Sequence, residues 1–253
     1  MYSFTDSVEI LSQNGYTICA NNNADEDARK IVVLVHGFGG SSEGRFTSSL
    51  TPILNEKGLG VVSFDLPGHG RSPVGGEYFT VKHCLRDLDS VYEYVSFKYP
   101  AAKIYLGGTS FGAYLCLLYN SIYEKGSEKL FLRCAALDMK TIFEKKLIGD
   151  NLRRLNNYGS VILDDCERPL EITEQFYRDL NKYSVFDEFK KLNGKYLFLH
   201  GTKDEIAPYI DVLEFTKEHS LGLCAIDNAD HFLSDPAKLS ECNINILKFL
   251  LED

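Results

Sequence analysis

No stretch of this 253-residue chain approaches the roughly 20 consecutive apolar residues of a membrane-spanning helix, which argues against an integral membrane protein. No C-x-x-C pair occurs either. The seven cysteines, Cys19, Cys84, Cys116, Cys134, Cys166, Cys224 and Cys242, are odd in number and scattered. They read as small buried hydrophobes in a reducing compartment, not as a disulfide frame or a zinc site. Positive charge is in deficit. Lys and Arg number 27 against 36 Asp and Glu, and the net charge of −9 argues against nucleic acid or an anionic membrane as partner. Internal repeats and low-complexity tracts are missing. The opening Met1-Tyr2-Ser3-Phe4-Thr5-Asp6 lacks a basic-plus-apolar leader pattern, so the expectation is a cytoplasmic monomer or small homo-oligomer.

What is there is an alternation of strand-like and helix-like runs. That pattern belongs to α/β proteins with a mostly parallel sheet covered on both faces. At this length one large domain fits better than two small ones, and it buries roughly 75% of its unfolded surface. Residues 8–11 and 16–20 read as an opening hairpin across a Gln-Asn-Gly turn. Strands are expected at 31–35, 61–64, 104–106, 131–137, 196–199 and 223–226. Helices are expected at 47–56, 81–99, 111–123, 210–219 and 236–251. Between about 139 and 192 the alternation stops for some fifty residues, too long for a simple connection. Helical spacing at 141–156, a small hairpin pairing 160–163 with 170–172 across Asp164-Asp165, and helices at 172–180 and 185–192 fill it. The expected organisation is a core domain of 1–138 and 193–253 with an inserted cap at 139–192. The alternative is a pair of ordinary helices packed on one face.

The densest chemical signal is Gly108-Thr109-Ser110-Phe111-Gly112, between an apolar run ending at Gly107 and the apolar helix that follows. A serine flanked by glycines two residues either side, at a strand-to-helix turn, is the G-x-S-x-G nucleophile elbow. Only glycine fits where the chain segments nearly touch. The helix N-terminus offers free N–H groups and a positive dipole end to a developing oxyanion. Taken alone, Ser110 could be a helix N-cap.

A serine hydroxyl needs a base to take its proton, and the base needs an acid to hold its tautomer. In this architecture the order is serine, acid, histidine, on loops after successive strands. Asp204 follows the 196–199 strand, and His231 follows the 223–226 strand. Glu205 and Asp138 are rival acids, and a turn residue or a surface histidine are the plainer readings of Asp204 and His231. His36, His69 and His200 lie in glycine-containing loops and read as loop hydrogen-bonders; His83 and His219 read as solvated helix residues. Two oxyanion donors are also needed. The backbone N–H of Phe111 supplies one, and that of Phe38, in the turn His36-Gly37-Phe38-Gly39-Gly40, the other. No Gly-Lys-Ser/Thr follows that turn, which argues against a nucleotide cradle.

On these motifs, with Asp65-Leu66-Pro67-Gly68-His69-Gly70-Arg71-Ser72, His200-Gly201, Pro208 and Asp230-His231-Phe232, the chain resembles the α/β-hydrolase superfamily over essentially its full length. Within it the chain is similar to small bacterial carboxylesterases of the cinnamoyl and feruloyl type and to the serine-aminopeptidase-like lysophospholipase group. The resemblance implies a twisted, mostly parallel eight-stranded sheet, hydrolysis through an acyl-serine intermediate, and a cap that shapes the acyl pocket. Thr109 stands where relatives most often carry histidine, and Phe111, where Met or Gln is common, narrows the pocket floor. The expected activity is carboxylic ester hydrolysis of short-chain or aryl acyl esters, without metal or organic cofactor. Peptides, thioesters and lysophospholipids share the machinery, and a ligand-binding receptor or scaffold is the non-enzymatic alternative. Asp138, Phe143, Phe176, Tyr177 and Tyr183 are the expected pocket residues, with Leu147 and Phe186 beside them.

Overall fold

Fully apolar runs become central strands and amphipathic runs become the helices that cover them. The computed structural model describes residues 6–125 and 127–252. Residues 1–5, on which the reading of no leader rests, fall outside that range. In chain order the elements are β1 (Asp6–Leu11), β2 (Thr17–Asn23), β3 (Lys30–Val35), α1 (Arg45–Asn55), β4 (Gly60–Phe64), α2 (Val81–Lys98), β5 (Lys103–Thr109), α3 (Phe111–Tyr123) and β6 (Lys129–Arg133). There follow α4 (Met139–Ile142), α5 (Asn151–Tyr158), β7 (Ser160–Leu163), β8 (Leu170–Thr173), α6 (Glu174–Leu180) and α7 (Val185–Glu188). The chain closes with β9 (Lys195–Gly201), α8 (Tyr209–Glu218), β10 (Gly222–Ile226) and α9 (Pro236–Leu251).

Eight strands form one sheet in the order β1-β2-β4-β3-β5-β6-β9-β10. Only β2 runs against its neighbours; the rest are parallel. On β3 the side chains alternate between two buried layers. Ile31, Val33 and Val35 join the layer containing α2 and α3, while Val32 and Leu34 join that of α1 and α9. Burial on both faces explains why β3 and β4 read as unbroken apolar runs rather than alternating ones. From β3 the chain steps outward to β4, then crosses back to β5 on the other side. The carboxyl ends of β3 and β5 therefore flank the point where strand order reverses, the usual ligand crevice of such sheets.

Several expected boundaries shift. The strand at 131–137 is replaced by β6, which ends at Arg133. Cys134 turns the chain with φ +46°, and the apolar residues beyond it are buried as a loop under the β5–α3 junction. Apolarity marked their burial, not their backbone. The helix expected at 141–156 is broken into α4, a π-helical turn at Phe143–Leu147, and α5. Gly149, at φ +50°, separates the last two. The helix at 185–192 stops at Glu188, because Phe189 turns inward onto Tyr196, Phe215 and His219. The hairpin of β7 and β8 pairs as expected.

Candidate active site

The turn between β5 and α3 is built by close backbone approach. A Cβ on Gly108 would lie 2.4 Å from the Gly112 carbonyl oxygen, and one on Gly112 would lie 2.2 Å from that of Val35. Neither position admits a side chain. Ser110 is held at φ 54° and ψ −115°, a conformation that costs a residue bearing a Cβ. Its N–H donates to the Arg133 carbonyl at 2.9 Å, and its carbonyl oxygen accepts from the Tyr114 N–H at 3.1 Å, which closes α3's first turn. The apolar helix behind it, buried from Phe111 through Ser121, anchors the junction in the core.

Two loops from the far half of the chain converge on the serine. His231, in the loop after β10, places Nε2 3.0 Å from Ser110 Oγ. Its Nδ1 lies 2.7 Å from Asp204 Oδ2, in the loop after β9. The Arg133 guanidinium donates to the Phe232 carbonyl at 2.9 Å, and the Asp230 carboxylate accepts from the Ser234 N–H at 2.8 Å, which fixes the histidine loop. Asp204 Oδ1 accepts from the N–H groups of Ile206 and Ala207 at 3.0 and 2.8 Å. Burial would raise the Asp204 pKa, but hydrogen bonds from His200 and His231 outweigh it and hold the carboxyl well below the usual range. Among the three acids weighed from the sequence, the geometry brings Asp204 to His231. Asp138 instead caps α4, accepting from the Thr141 N–H at 3.1 Å.

Facing the serine is the 36–40 loop. Gly37 comes so close that a Cβ there would meet Ser110 Cβ at 3.3 Å. Two buried histidines shape this loop. His69 Nε2 accepts from the Gly39 N–H at 3.0 Å, and its Nδ1 donates to the Pro67 carbonyl at 2.8 Å. His36 does the same in reverse, with Nε2 accepting from Leu66 N–H at 3.0 Å and Nδ1 donating to the Gly37 carbonyl. Both rings use Nε2 as an acceptor and are therefore neutral there. Burial pushes both pKa values down, that of His69 to about 3, with the neighbouring His36 adding to the effect on His69. The loop-bonding role expected of both is what they perform. Phe111 opens α3, so its N–H has no carbonyl one turn behind it, and Phe38 sits next to Gly37 on the facing loop.

The expected pocket residues divide. Phe143 and Phe176 are fully buried and form one aromatic cluster with Phe38, Phe79 and Phe111. Tyr177 lies tilted against Phe143, with ring centroids 6.0 Å apart, and donates its hydroxyl to Glu144 at 2.6 Å. Tyr183 offers its backbone carbonyl to the Tyr114 hydroxyl at 2.6 Å. Leu147 is partly buried against the core, and Phe186 is exposed. The loop joining β7 and β8 also reaches the 36–40 loop, where Glu167 N–H donates to the Gly39 carbonyl at 2.9 Å. Sequence periodicity did not mark Phe79, which stacks on Phe176 with centroids 4.4 Å apart. It follows the three-residue turn Gly76–Tyr78 and carries no motif of its own.

One cluster among the described residues has the make-up of a cation site: ligand atoms of Cys134, Asp204 and His231 lie within 4.8 Å of one another. Burial pushes the Cys134 thiol up to about 11, which disfavours the thiolate a metal would need, and the other two groups already bond each other. The set suits proton transfer better than a cation. No helix is long and apolar enough to cross a membrane among the described residues.

A family model described as serine aminopeptidase, S33, matches residues 26–166. That span takes in the 36–40 loop and the elbow but ends before Asp204 and His231. Among curated proteins none matches this sequence. Solved structures similar over nearly the whole chain include a putative hydrolase from Agrobacterium vitis S4, 20% identical with a TM-score of 0.80, covering 98% of both chains. Est1E from Butyrivibrio proteoclasticus, in a structure with ferulic acid bound, is also 20% identical, with a TM-score of 0.80 over 97% of this chain and 100% of its own. Mouse alpha/beta hydrolase domain-containing protein 10 is 16% identical, with a TM-score of 0.78 over 96% and 98% respectively. At these identities the likeness is one of fold.

Proposed function

This chain belongs to the serine aminopeptidase S33 family of α/β hydrolases, and on that premise we propose that it hydrolyses carboxylic esters through an acyl-serine intermediate. The observation that carries the proposal is the unbroken chain Asp204–His231–Ser110, at 2.7 and 3.0 Å, ending on a serine at a strand-to-helix elbow. His231 Nε2 takes the Ser110 proton as Oγ attacks the substrate carbonyl, and returns it to the leaving alcohol. Asp204 holds Nδ1–H and balances the imidazolium that forms. The N–H groups of Phe111 and Phe38 bind the oxyanion, a contribution worth about 10²–10³ in rate per donor. A water molecule, deprotonated by the same histidine, then releases the acid.

Residues 139–192 act in this reading as a cap. Their aromatic side chains close over the elbow, and the rings of Phe38, Phe111, Phe143 and Phe176 bound the acyl side. That wall suits a short-chain or aryl acyl group, in line with the ferulic acid bound to the fold neighbour Est1E. The family description favours a second reading, release of an N-terminal residue from a peptide, by the same steps.

The test is a panel of p-nitrophenyl esters of graded chain length, beside methyl ferulate, an acyl-CoA and an aminoacyl anilide. Turnover of the short and aryl esters well above the anilide is the expected result; preference for the anilide overturns the ester reading. Ser110→Ala should keep its fold by circular dichroism and lose labelling by a fluorophosphonate probe. Labelling that survives this substitution rules out Ser110 as the nucleophile.

A further inference from the structure

The carboxylate of Asp204 receives a donor that the serine relay does not call for. His200, the sixth residue of β9, is fully buried, and its Nε2 lies 3.1 Å from Asp204 Oδ2, the same oxygen that faces His231. That Nε2 is also 2.8 Å from the Ala207 carbonyl. Two acceptors face one nitrogen, so the ring proton sits on Nε2 and is shared between them. The other ring nitrogen, Nδ1, is buried with no partner among the described residues. A residue kept only to fill space would not carry an unpaired polar atom into the core, where an apolar ring of similar size avoids that cost. The histidine is held there by what Nε2 does.

We propose that His200 is a positioning residue that sets the basicity of His231 through Asp204, a role that rests on the serine-hydrolase reading above. With Ile206 and Ala207 on Oδ1, and His200 and His231 on Oδ2, the carboxylate has a donor for every bond it can well accept. The His200 donor draws electron density from Oδ2 and stops the carboxylate rotating away from Nδ1. It thereby holds the His231 imidazolium less tightly than a carboxylate with Oδ2 otherwise bare would. The other ionisable groups around this cluster are Cys134 at the end of β6, Asp211 and Tyr209 on α8, and Asp230 beside His231. Cys134 is pushed up to about 11 by burial, and Asp211 is raised by burial first and then by Asp138 and Glu214. Asp230 is held low by Ser234 against its burial, and the Arg133 guanidinium faces Cys134. None of these donates a hydrogen bond to Oδ2.

The experiment compares His200→Phe, which cannot donate, and His200→Gln, whose amide can, with the parent enzyme. The measurement is kcat/KM for p-nitrophenyl acetate from pH 5 to 9. In His200→Phe the acid limb should move to higher pH by about half a unit, with kcat down about tenfold and KM little changed. His200→Gln should bring the limb back toward the parent. If His200→Phe is recovered unfolded, His200→Asn, whose shorter amide falls short of Oδ2, takes its place in the same comparison. An acid limb that stays fixed while activity falls with the folded fraction overturns the proposal and leaves His200 a packing residue. Fluorophosphonate labelling of the parent separates the two failures. An unlabelled parent rejects the serine-hydrolase reading itself, whereas a labelled parent with an unmoved limb rejects only the role of His200.

Discussion

At the scale of single residues, the site is a set of side chains each fixed by backbone geometry that leaves little choice. Asp204→Asn keeps the shape of the acid but presents Nδ1 of His231 with a mixed donor and acceptor, so the imidazolium loses its counter-charge. Turnover should fall by about 10⁴ with the fold unchanged, read as kcat against a thermal melt. A loss of less than tenfold would move the acid role elsewhere, to Glu205 first. Glycine substitution offers a cleaner structural contrast. Gly112→Ala drives a methyl to 2.2 Å from the Val35 carbonyl oxygen, whereas Gly149→Ala, at φ +50°, meets nothing within 4 Å. The first should abolish soluble folded protein. The second should cost about 1 kcal/mol in urea unfolding, the price of a positive φ alone. The convergence of Ser110, Asp204 and His231 was legible in the sequence because strand ends and turn glycines confine a serine, a carboxylate and an imidazole to known places. The second donor to Asp204 was not: the glycine after it made His200 read as a loop hydrogen-bonder, whereas it is a buried residue of β9 that meets Asp204 only when the strand and its loop fold back on each other.

At the scale of elements, the strands of the sheet were legible from short apolar runs, β-branched at β3 and β4, and the segment between β6 and β9 much less so. The difference is physical. Central strands are apolar on both faces and carry a strong signal, whereas the pieces at 139–192 are short, and tertiary contacts decide where each one stops. Phe189 ends α7 by packing on Phe215 and His219, and no local propensity announces that. The same contacts make a prediction about α6. Phe176 is fully buried and stacked on Phe79, with Phe38, Phe111 and Phe143 around it. Phe176→Ala should cost about 3–5 kcal/mol, measured by chemical denaturation. The space it opens lies beside Phe38 and Phe111, so the preferred p-nitrophenyl ester should also lengthen. Lost stability with an unchanged chain-length preference would mean that the ring only fastens the segment to the sheet and does not bound the acyl group.

At the scale of the whole molecule, the interior holds titratable groups whose ionisation opposes one another, and their balance sets how the fold meets acid. His36 and His69 are neutral in the folded protein because burial depresses them, His69 to about 3. In the unfolded chain each titrates near 6.5. Below that pH the unfolded state binds protons that the native state refuses, so stability falls as pH drops, by up to about 1.4 kcal/mol per pH unit for each ring. Asp87 works the other way. Burial raises it against hydrogen bonds from Ser12, Tyr16 and Asn14, so its contribution is present at low pH and is lost as pH rises through its folded value. Asp204, held low, keeps its contribution until the pH falls below the ordinary carboxylate range. Between pH 6.5 and 5 both histidines pull stability down, His69 throughout, and the protein should lose stability over that interval. His69→Gln keeps an acceptor for the Gly39 N–H but cannot take up a proton. Urea unfolding at pH 7.5 and pH 5 should show a clearly smaller loss in that variant than in the parent, because the ring depressed to about 3 is gone. Equal losses in parent and variant would mean that water reaches His69 and lets it charge in place, and the buried pair would no longer account for the acid sensitivity.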